Sequence, residues 1–321
     1  MHDEVVAPHP SWVAYRPTRL GAPGAVELRV AYPGYTDVLR ESYEVGQRAW
    51  EASRTVAYLP DLDVDGHADA VSAVGPYPDL VIWPIERGLV PIGGAGFLTV
   101  TEVLRRAVIS RIADPVPAQV SGHGADGQPH VAYLPLLDVG HRHADGHLLG
   151  VAVAVPAMST GDRIAVLRGL LGPGGDDPIR ELRRGERGVL VLGDPSEVAR
   201  LRGHRTDRWT AQPDGAYRWV SVTPVMYDRY PGRNTDRAAM IADAVVTAGY
   251  PRPAVTLLEA PTVSGAVAFP RKGTVPDGRP RRPLVHCVLK FAEPVCGPVI
   301  AGALRYLGCG LFVPEVSRVA R

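Results

Sequence analysis

Gly297-Pro-Val-Ile-Ala-Gly-Ala-Leu-Arg-Tyr-Leu-Gly-Cys-Gly-Leu-Phe312 is the stretch on which the fold of this chain turns. Pro298 to Tyr306 reads as a short helix and Leu311-Phe-Val313 as a strand, which places Gly308 and Gly310 in the turn between them, with Gly302 and Arg305 just before it. Glycine has no Cβ, so a loop of this kind takes positive φ and brings backbone N–H groups close to an anion. A phosphate backbone is the ligand this chemistry suggests. Just upstream, Leu284-Val-His-Cys-Val-Leu-Lys-Phe291 reads as a strand, preceded by the basic loop Pro270-Arg-Lys-Gly-Thr-Val-Pro-Asp-Gly-Arg-Pro-Arg-Arg282.

Outward from this stretch, one order of elements occurs twice. In the second round, Tyr217 to Tyr227 is a strand, Asp236 to Ala248 a helix and Ala254 to Glu259 a strand, followed by the strand, helix and strand already quoted. The first round begins at Leu80-Val-Ile-Trp-Pro-Ile85, a strand, and continues with a helix from Thr101 to Ile112. That helix carries Val103, Leu104, Ala107, Val108 and Ile112 on one face, and Thr99 or Thr101 is its candidate cap. Strands Val131 to Leu137 and His147 to Val155, a helix Asp162 to Leu171 and a strand Gly188 to Leu192 complete the round. Two βαββαβ rounds predict an α+β protein of two tandem ferredoxin-like units, each an antiparallel sheet with helices on one face. The expected division is an N-terminal extension over residues 1–78, a first unit over 79–195 and a second over 213–321, with the Arg-rich link Asp194 to Gln212 between the units.

The extension is rich in Pro, Gly and aromatic residues and has one helical run, Thr36 to Ser53. Asp61-Leu-Asp-Val-Asp-Gly-His-Ala-Asp69 resembles a calcium loop but lacks the Glu such a loop requires, so it reads as an acidic linker. No run of about 18 apolar residues occurs, and the N-terminus has no basic-then-apolar leader, which predicts a soluble cytoplasmic protein without a membrane partner.

Length and apolar content suit two domains of ordinary size. Three cysteines, Cys287, Cys296 and Cys309, without C-x-x-C spacing, argue against both a disulfide framework and a cysteine zinc site, so they read as packing residues. The net charge of +1 does not announce a nucleic-acid binder. Its distribution does more. Residues 271–321 hold nine basic and three acidic residues, a net of +6, which leaves −5 for the rest of the chain. All but Lys272 and Lys290 of the basic residues are arginine, the planar cation that pairs bidentately with phosphate, although a GC-rich genome produces the same bias.

Several constellations are candidates for chemistry. His123 stands in a Gly-rich loop after the first helix, and His130 opens the next strand. His141, His143 and His147, with Asp145 among them, approximate the dinuclear metal signature His-x-His-x-Asp-His but are one residue too long, and no distant ligand set accompanies them. A hairpin with Ala144-Asp145-Gly146 at its tip accounts for the Asp-Gly pair directly. No metal or other cofactor is expected. Lys290 points away from its neighbours Leu289 and Phe291 in a strand, toward either a phosphate or solvent. Arg271, Lys272, Arg281 and Arg282 lie on an exposed loop, and Gly93-Gly-Ala-Gly96 has the wrong spacing for a dinucleotide fingerprint. The sheet lacks the aromatic signature by which RNA-recognition motifs stack bases.

The ending of helix, Gly-x-x-x-x-x-Gly-x-Gly-x-Phe and strand resembles the glycine-rich loop of the repeat-associated RNA-binding superfamily of CRISPR systems. Ser121-Gly-His-Gly-Ala-Asp-Gly127, His130-Val-Ala-Tyr-Leu-Pro-Leu136, Gly140-His-Arg-His-Ala-Asp-Gly-His-Leu-Leu-Gly150, Trp219-Val-Ser-Val-Thr-Pro-Val225 and Gly297-Pro-Val-Ile-Ala-Gly302 narrow the likeness. They resemble the processing half of the fused backbone-and-processing subunit of type I-G (formerly I-U) effectors, over about residues 20–314. In that family another ferredoxin-like unit, which holds the 5′ handle of the guide RNA, precedes this half. Residues 1–78 have no room for it, so the chain reads as a truncated form or a stand-alone processing version, and functions of the missing unit are not carried over.

The resemblance implies a metal-independent endoribonuclease that cuts CRISPR repeat RNA at the 3′ base of its hairpin and stays bound as a subunit of a type I effector complex. A ribose 2′-OH attacks the adjacent phosphate, leaving a 2′,3′-cyclic phosphate. Histidine suits the proton transfers because its pKa lies near neutrality. The family's histidine usually lies near the first helix, which makes His123 the first candidate, His130 the second and His143, reaching from its turn, the third. RNA binding is expected at Arg271, Lys272, Arg281, Arg282, Lys290, Gly302, Arg305, Gly308 and Gly310. The alternatives are a non-catalytic RNA-binding effector subunit and a metal-dependent hydrolase built on His141, His143 and His147.

Overall fold

The computed structural model describes residues 15–18, 22, 25–30, 35–44, 54–60, 75–86, 91–122, 127–172, 175, 177–195, 202–272 and 282–315. The chain forms two compact units, Met1–Val71 and Ser72–Arg321. In the first, strands β1 (Tyr15–Thr18), β2 (Val26–Val30) and β3 (Arg54–Pro60) make an antiparallel sheet in the order β1-β3-β2, and helix α1 spans Tyr35–Glu44. The predicted helix from Thr36 overlaps α1; residues 45–53 and the acidic stretch 61–69 lie outside the described residues.

Among the described residues the second unit holds antiparallel sheets of five, three and two strands together with helices, an α+β architecture. Its N-terminal half runs β4 (Asp79–Pro84), α2 (Phe97–Ile109), α3 (Ala118–Ser121), β5 (Ala132–Leu137), β6 (Leu148–Val155), α4 (Thr160–Leu171) and the hairpin β7 (Glu181–Arg183) and β8 (Val189–Val191). β6 lies between β4 and β5, and an antiparallel bridge from Ile85 to Leu192 sets the end of the hairpin beside β4. The resulting order, with the fourth strand beside the first, is that of a ferredoxin-like sheet. All six residues of β5 are buried, because both faces of the strand are covered. That is why this stretch is a continuous apolar run and not an alternating one.

Helix α2 begins at Phe97, four residues before the predicted Thr101. Gly96 occupies its N-cap and neither threonine caps it. The Thr101 hydroxyl is fully buried and instead donates to the carbonyl of Leu307 at 2.8 Å, in the other half of the unit. Helix α4 is capped by Ser159, whose Oγ accepts the Asp162 N–H, which satisfies one of the first-turn amides that no helical carbonyl can reach.

The C-terminal half follows α5 (Asp207–Thr210) and consists of β9 (Ala216–Ser221), β10 (Val225–Met226), α6 (Arg237–Thr247), β11 (Ala254–Leu258), β12 (Leu284–Val295) and β13 (Phe312–Pro314). β12 pairs with β9, β10 and β11, and β13 flanks β9 on the other side. The predicted single strand from Tyr217 to Tyr227 is broken into β9 and β10 around Pro224, which has no N–H for a ladder. The predicted helix from Pro298 to Tyr306 does not form. Ile300 bridges to Leu311 and Ala303 to Met226, and only a single 3₁₀ turn, Arg305–Leu307, follows. Gly302 at φ 84° and Leu304 at φ 60° are in the left-handed region, which no α-helix passes through.

Two cores hold the unit together. One lies under α6 and includes Trp219, Ile241, Leu289 and Phe312. The larger one joins the halves: Trp83, Leu104 and Leu136 of the first pack in the same cluster as Leu307, Leu311 and Val313 of the second. Trp209, in the Arg-rich link, is 1% exposed within that shared core, and its Nε1–H donates to Gly203 O at 2.8 Å.

Candidate functional site

The segment from Gly302 to Phe312 lies along the seam between the halves. Its glycines are there for close packing. A Cβ on Gly308 would stand 2.4 Å from Cδ of Pro135 in β5, and one on Gly302 2.3 Å from the Met226 carbonyl oxygen. A Cβ on Gly310 would stand 2.1 Å from the Ala301 oxygen. All three have positive φ. The N–H of Gly308 donates to Arg305 O and that of Gly310 to Pro224 O, while Thr223 Oγ1 donates to Gly308 O and accepts from Leu311 N. The amides of Gly308 and Gly310, expected to face a phosphate, donate to carbonyls within the protein, and these residues shape the loop that carries Arg305.

That loop delivers Arg305 and Tyr306 to His130. The imidazole of His130, two residues before β5, stacks on the Tyr306 ring with centroids 4.7 Å apart and planes at 20°. The Arg305 guanidinium carbon is 4.6 Å from the Tyr306 centroid, within cation–π range. Nη2 donates to the Tyr306 hydroxyl and Nη1 to Gly302 O, each at 3.2 Å, and Nη1 lies 3.9 Å from Oδ1 of Asp228. The Arg305 side chain is only 15% exposed, yet its Nε has no hydrogen-bond partner among the described residues, and neither has the buried hydroxyl of Tyr77. Burial, the neighbouring Tyr250 and Tyr306 hold the Tyr77 phenol well above its ordinary pKa, with Arg305 opposing them. Tyr77 is therefore a neutral O–H at any working pH, able to donate.

His123 lies outside the described residues. Gly122 just before it is the left-handed C-cap of α3, and its Cβ position would be 3.7 Å from His130 Nδ1. His143 is at the exposed tip of the β5–β6 hairpin, at the opposite end of β5 from His130, with its N–H on His141 Nδ1 at 3.3 Å. Six strand residues at about 3.3 Å each separate these two positions by about 20 Å, so they do not form one site.

The basic residues divide similarly. Arg282 donates through Nη1 to the carbonyl of Asp228, the residue whose carboxylate faces Arg305, so these two arginines share one neighbourhood. Lys290 is exposed between buried Leu289 and Phe291, as strand alternation predicts, and opposite Arg218, which is paired with Glu315. Arg271 and Lys272 are exposed; the Arg271 N–H donates to Ala95 O at 2.7 Å. Arg281 lies outside the described residues.

Of the three histidines, only His147 belongs to a metal-competent group among the described residues. The groups that converge are Asp138, Asp145 and His147, whose ligand atoms lie within 4.8 Å of one another. The cysteines are buried, and burial pushes the Cys287 and Cys309 thiols up to about 12, so neither is a thiolate ligand or nucleophile at neutral pH. Tyr306, Tyr77 and Asp228 were missed from sequence. An aromatic residue directly beside Arg305 was the one local signal available for Tyr306.

Residues 92–314 match the CRISPR-associated protein, GSU0054 family. The chain belongs to that family. The matched span contains α2, His130, β5 and the whole 302–312 loop, hence both sides of the seam. A solved structure of a CRISPR associated protein Cas6 is similar at 10% identity, covering 74% of this chain and 98% of that one with a TM-score of 0.34. No curated protein matches the chain. No helix among the described residues is long and apolar enough to cross a membrane.

Proposed function

We propose that this CRISPR-associated protein is a metal-independent endoribonuclease that cleaves CRISPR repeat RNA at the 3′ base of its hairpin and remains bound as a subunit of a type I-G effector complex. The observation that carries the reading is the stack of His130 on Tyr306 beside Arg305, a proton-transfer group next to a cation in a partly desolvated seam. In such a seam, a charge acts on its neighbours more strongly than it would in water.

The reaction needs three things. The 2′-OH must lose a proton as its oxygen bonds to phosphorus, the breaking P–O5′ bond must deliver a protonated leaving oxygen, and the pentavalent phosphate needs positive charge. His130 serves as the general acid or base, with His123 as its partner for the opposite transfer. Arg305 stabilises the phosphate through the positive charge of its guanidinium. Arg282, with Arg271, Lys272, Arg281 and Lys290, holds the flanking phosphates of the hairpin, whose A-form groove is recognised by shape and charge. His143 contacts RNA from its hairpin tip, away from the proton transfers.

Labelled cognate repeat RNA incubated with the protein in excess EDTA tests the reading. Cleavage to a 2′,3′-cyclic phosphate end is the expected result, and His130→Ala should slow it by ~10²- to 10⁴-fold. Tight binding without cleavage would identify a holding subunit instead. Cleavage that appears only when Zn²⁺ or Mn²⁺ is restored would make it a metal-dependent hydrolase.

A further inference from the structure

The β5–β6 hairpin, at the far end of β5 from the seam, gathers four metal-ligating side chains in ten residues. Asp138 directly follows β5 and is 15% exposed at its side chain. Its Oδ1 is 2.6 Å from His141 Nε2, and its Oδ2 is 3.9 Å from His147 Nδ1 and accepts the Asp145 N–H at 3.3 Å. The Asp145 carboxylate is hydrogen-bonded to the same His147 Nδ1. Two carboxylates and one ring nitrogen thus converge within 4.8 Å, and a second imidazole holds the outer oxygen of Asp138.

The backbone that carries them is held from both sides. Gly146 N–H donates to Asp138 O at 3.0 Å, and Gly140 N–H to Ser264 O at 3.0 Å, in the segment that runs from β11 toward β12. That segment presses so closely that a Cβ on Gly265 would meet Asp138 O at 2.2 Å, and one on Gly146 would meet Gly265 O at 2.2 Å. Asp138, Asp145 and His147 therefore need little further ordering to converge on an ion. The ordering cost of gathering ligands is a large part of what a cation must otherwise overcome. A mixed set of imidazole and carboxylate suits a borderline ion such as Zn²⁺, whereas Mg²⁺ prefers oxygen ligands and keeps its water.

We propose that Asp138, Asp145 and His147 form a Zn²⁺ site that closes the β5–β6 hairpin, beside the segment around Ser264 and Gly265. His141 orients Asp138 from the second side, as outer partners of metal ligands do. The site lies about 20 Å from His130 along β5 and takes no part in cleavage.

The test uses the full chain, stripped with EDTA, dialysed and titrated with ZnCl₂ by calorimetry, with MgCl₂ as the comparison. One equivalent of Zn²⁺ should bind and Mg²⁺ should not compete. His147→Ala should weaken binding by at least ~10-fold, since even outer-shell losses cost that much, while His143→Ala leaves it unchanged. Thermal unfolding should shift upward with Zn²⁺ in the wild type and His143→Ala, and not in His147→Ala. Asp145→Asn, which keeps the side-chain shape, decides the matter if His147→Ala does not fold. No Zn²⁺ binding, or wild-type affinity in both His147→Ala and Asp145→Asn, overturns the proposal.

Discussion

His286 shows how far a single residue's role depends on partners brought from elsewhere. Its Nδ1 is 2.9 Å from Ser221 Oγ, which already accepts the Cys287 N–H, so the serine O–H is directed to the imidazole. Its Nε2 is 3.0 Å from the carbonyl of Val267, which can only accept. Both contacts suit a neutral ring carrying its proton on Nε2. Burial lowers its pKa below the ordinary 6.5, against the opposing pull of the carbonyl bonds. An unfolded chain takes up a proton near that ordinary value while the folded one does not, so folding stability should fall as pH drops through it, levelling off below the folded pKa. His286→Gln removes this contribution. The stability gap between wild type and His286→Gln, measured by urea unfolding, should be widest at pH 7.5 and shrink at pH 5.5. An equal gap at both pH values would show that the ring is not held neutral. The serine that fixes the tautomer of His286 lies on another strand, beyond any local pattern.

At the scale of elements, legibility followed how local the determining forces are. Helix α6 is recognisable to within a residue because Asp236 caps it, accepting from the N–H groups of Ala238 and Ala239. Strands β5, β6 and β12 are recognisable because their runs are apolar over most of their length. The 298–306 stretch misleads, because its apolar spacing fits a helix while the β-bridges and left-handed residues that set its path depend on Met226 and Leu311. His130 was legible as a candidate and Arg305 as a cation, but their meeting through Tyr306 requires two halves to dock. The loop's dependence on glycine is open to test. Gly308→Ala combines φ 85° with a Cβ 2.4 Å from Pro135. Strain at a left-handed position and overpacking at the seam should together cost about 2–5 kcal/mol in chemical unfolding. Because the loop also carries Arg305 and Tyr306, cleavage by any folded fraction should fall with it. An equally stable, fully active Gly308→Ala protein would show that the seam is looser than its packing indicates.

Across residues 72–321, two ferredoxin-like halves form one compact unit. A sequence with two βαββαβ rounds and an Arg-rich link between them reads as two tandem ferredoxin-like units. The larger core instead crosses the boundary, with Leu136 and Leu311 in one cluster and Trp209 of the link buried in it. Thr101 in α2 donates to the Leu307 carbonyl of the 302–312 loop, a buried polar pair that is satisfied only when the halves are docked. Opening the seam would expose this buried pair and the apolar surfaces together, which couples the halves energetically. Hydrogen exchange on the intact chain should therefore give peptides from β5 and from residues 305–313 the same opening free energy, with the same denaturant dependence, although they belong to different halves. If the 305–313 peptide exchanges through a smaller opening while β5 stays protected, the seam is a separable contact. The pairing of His130 with Arg305 proposed for cleavage would then form only when RNA closes it.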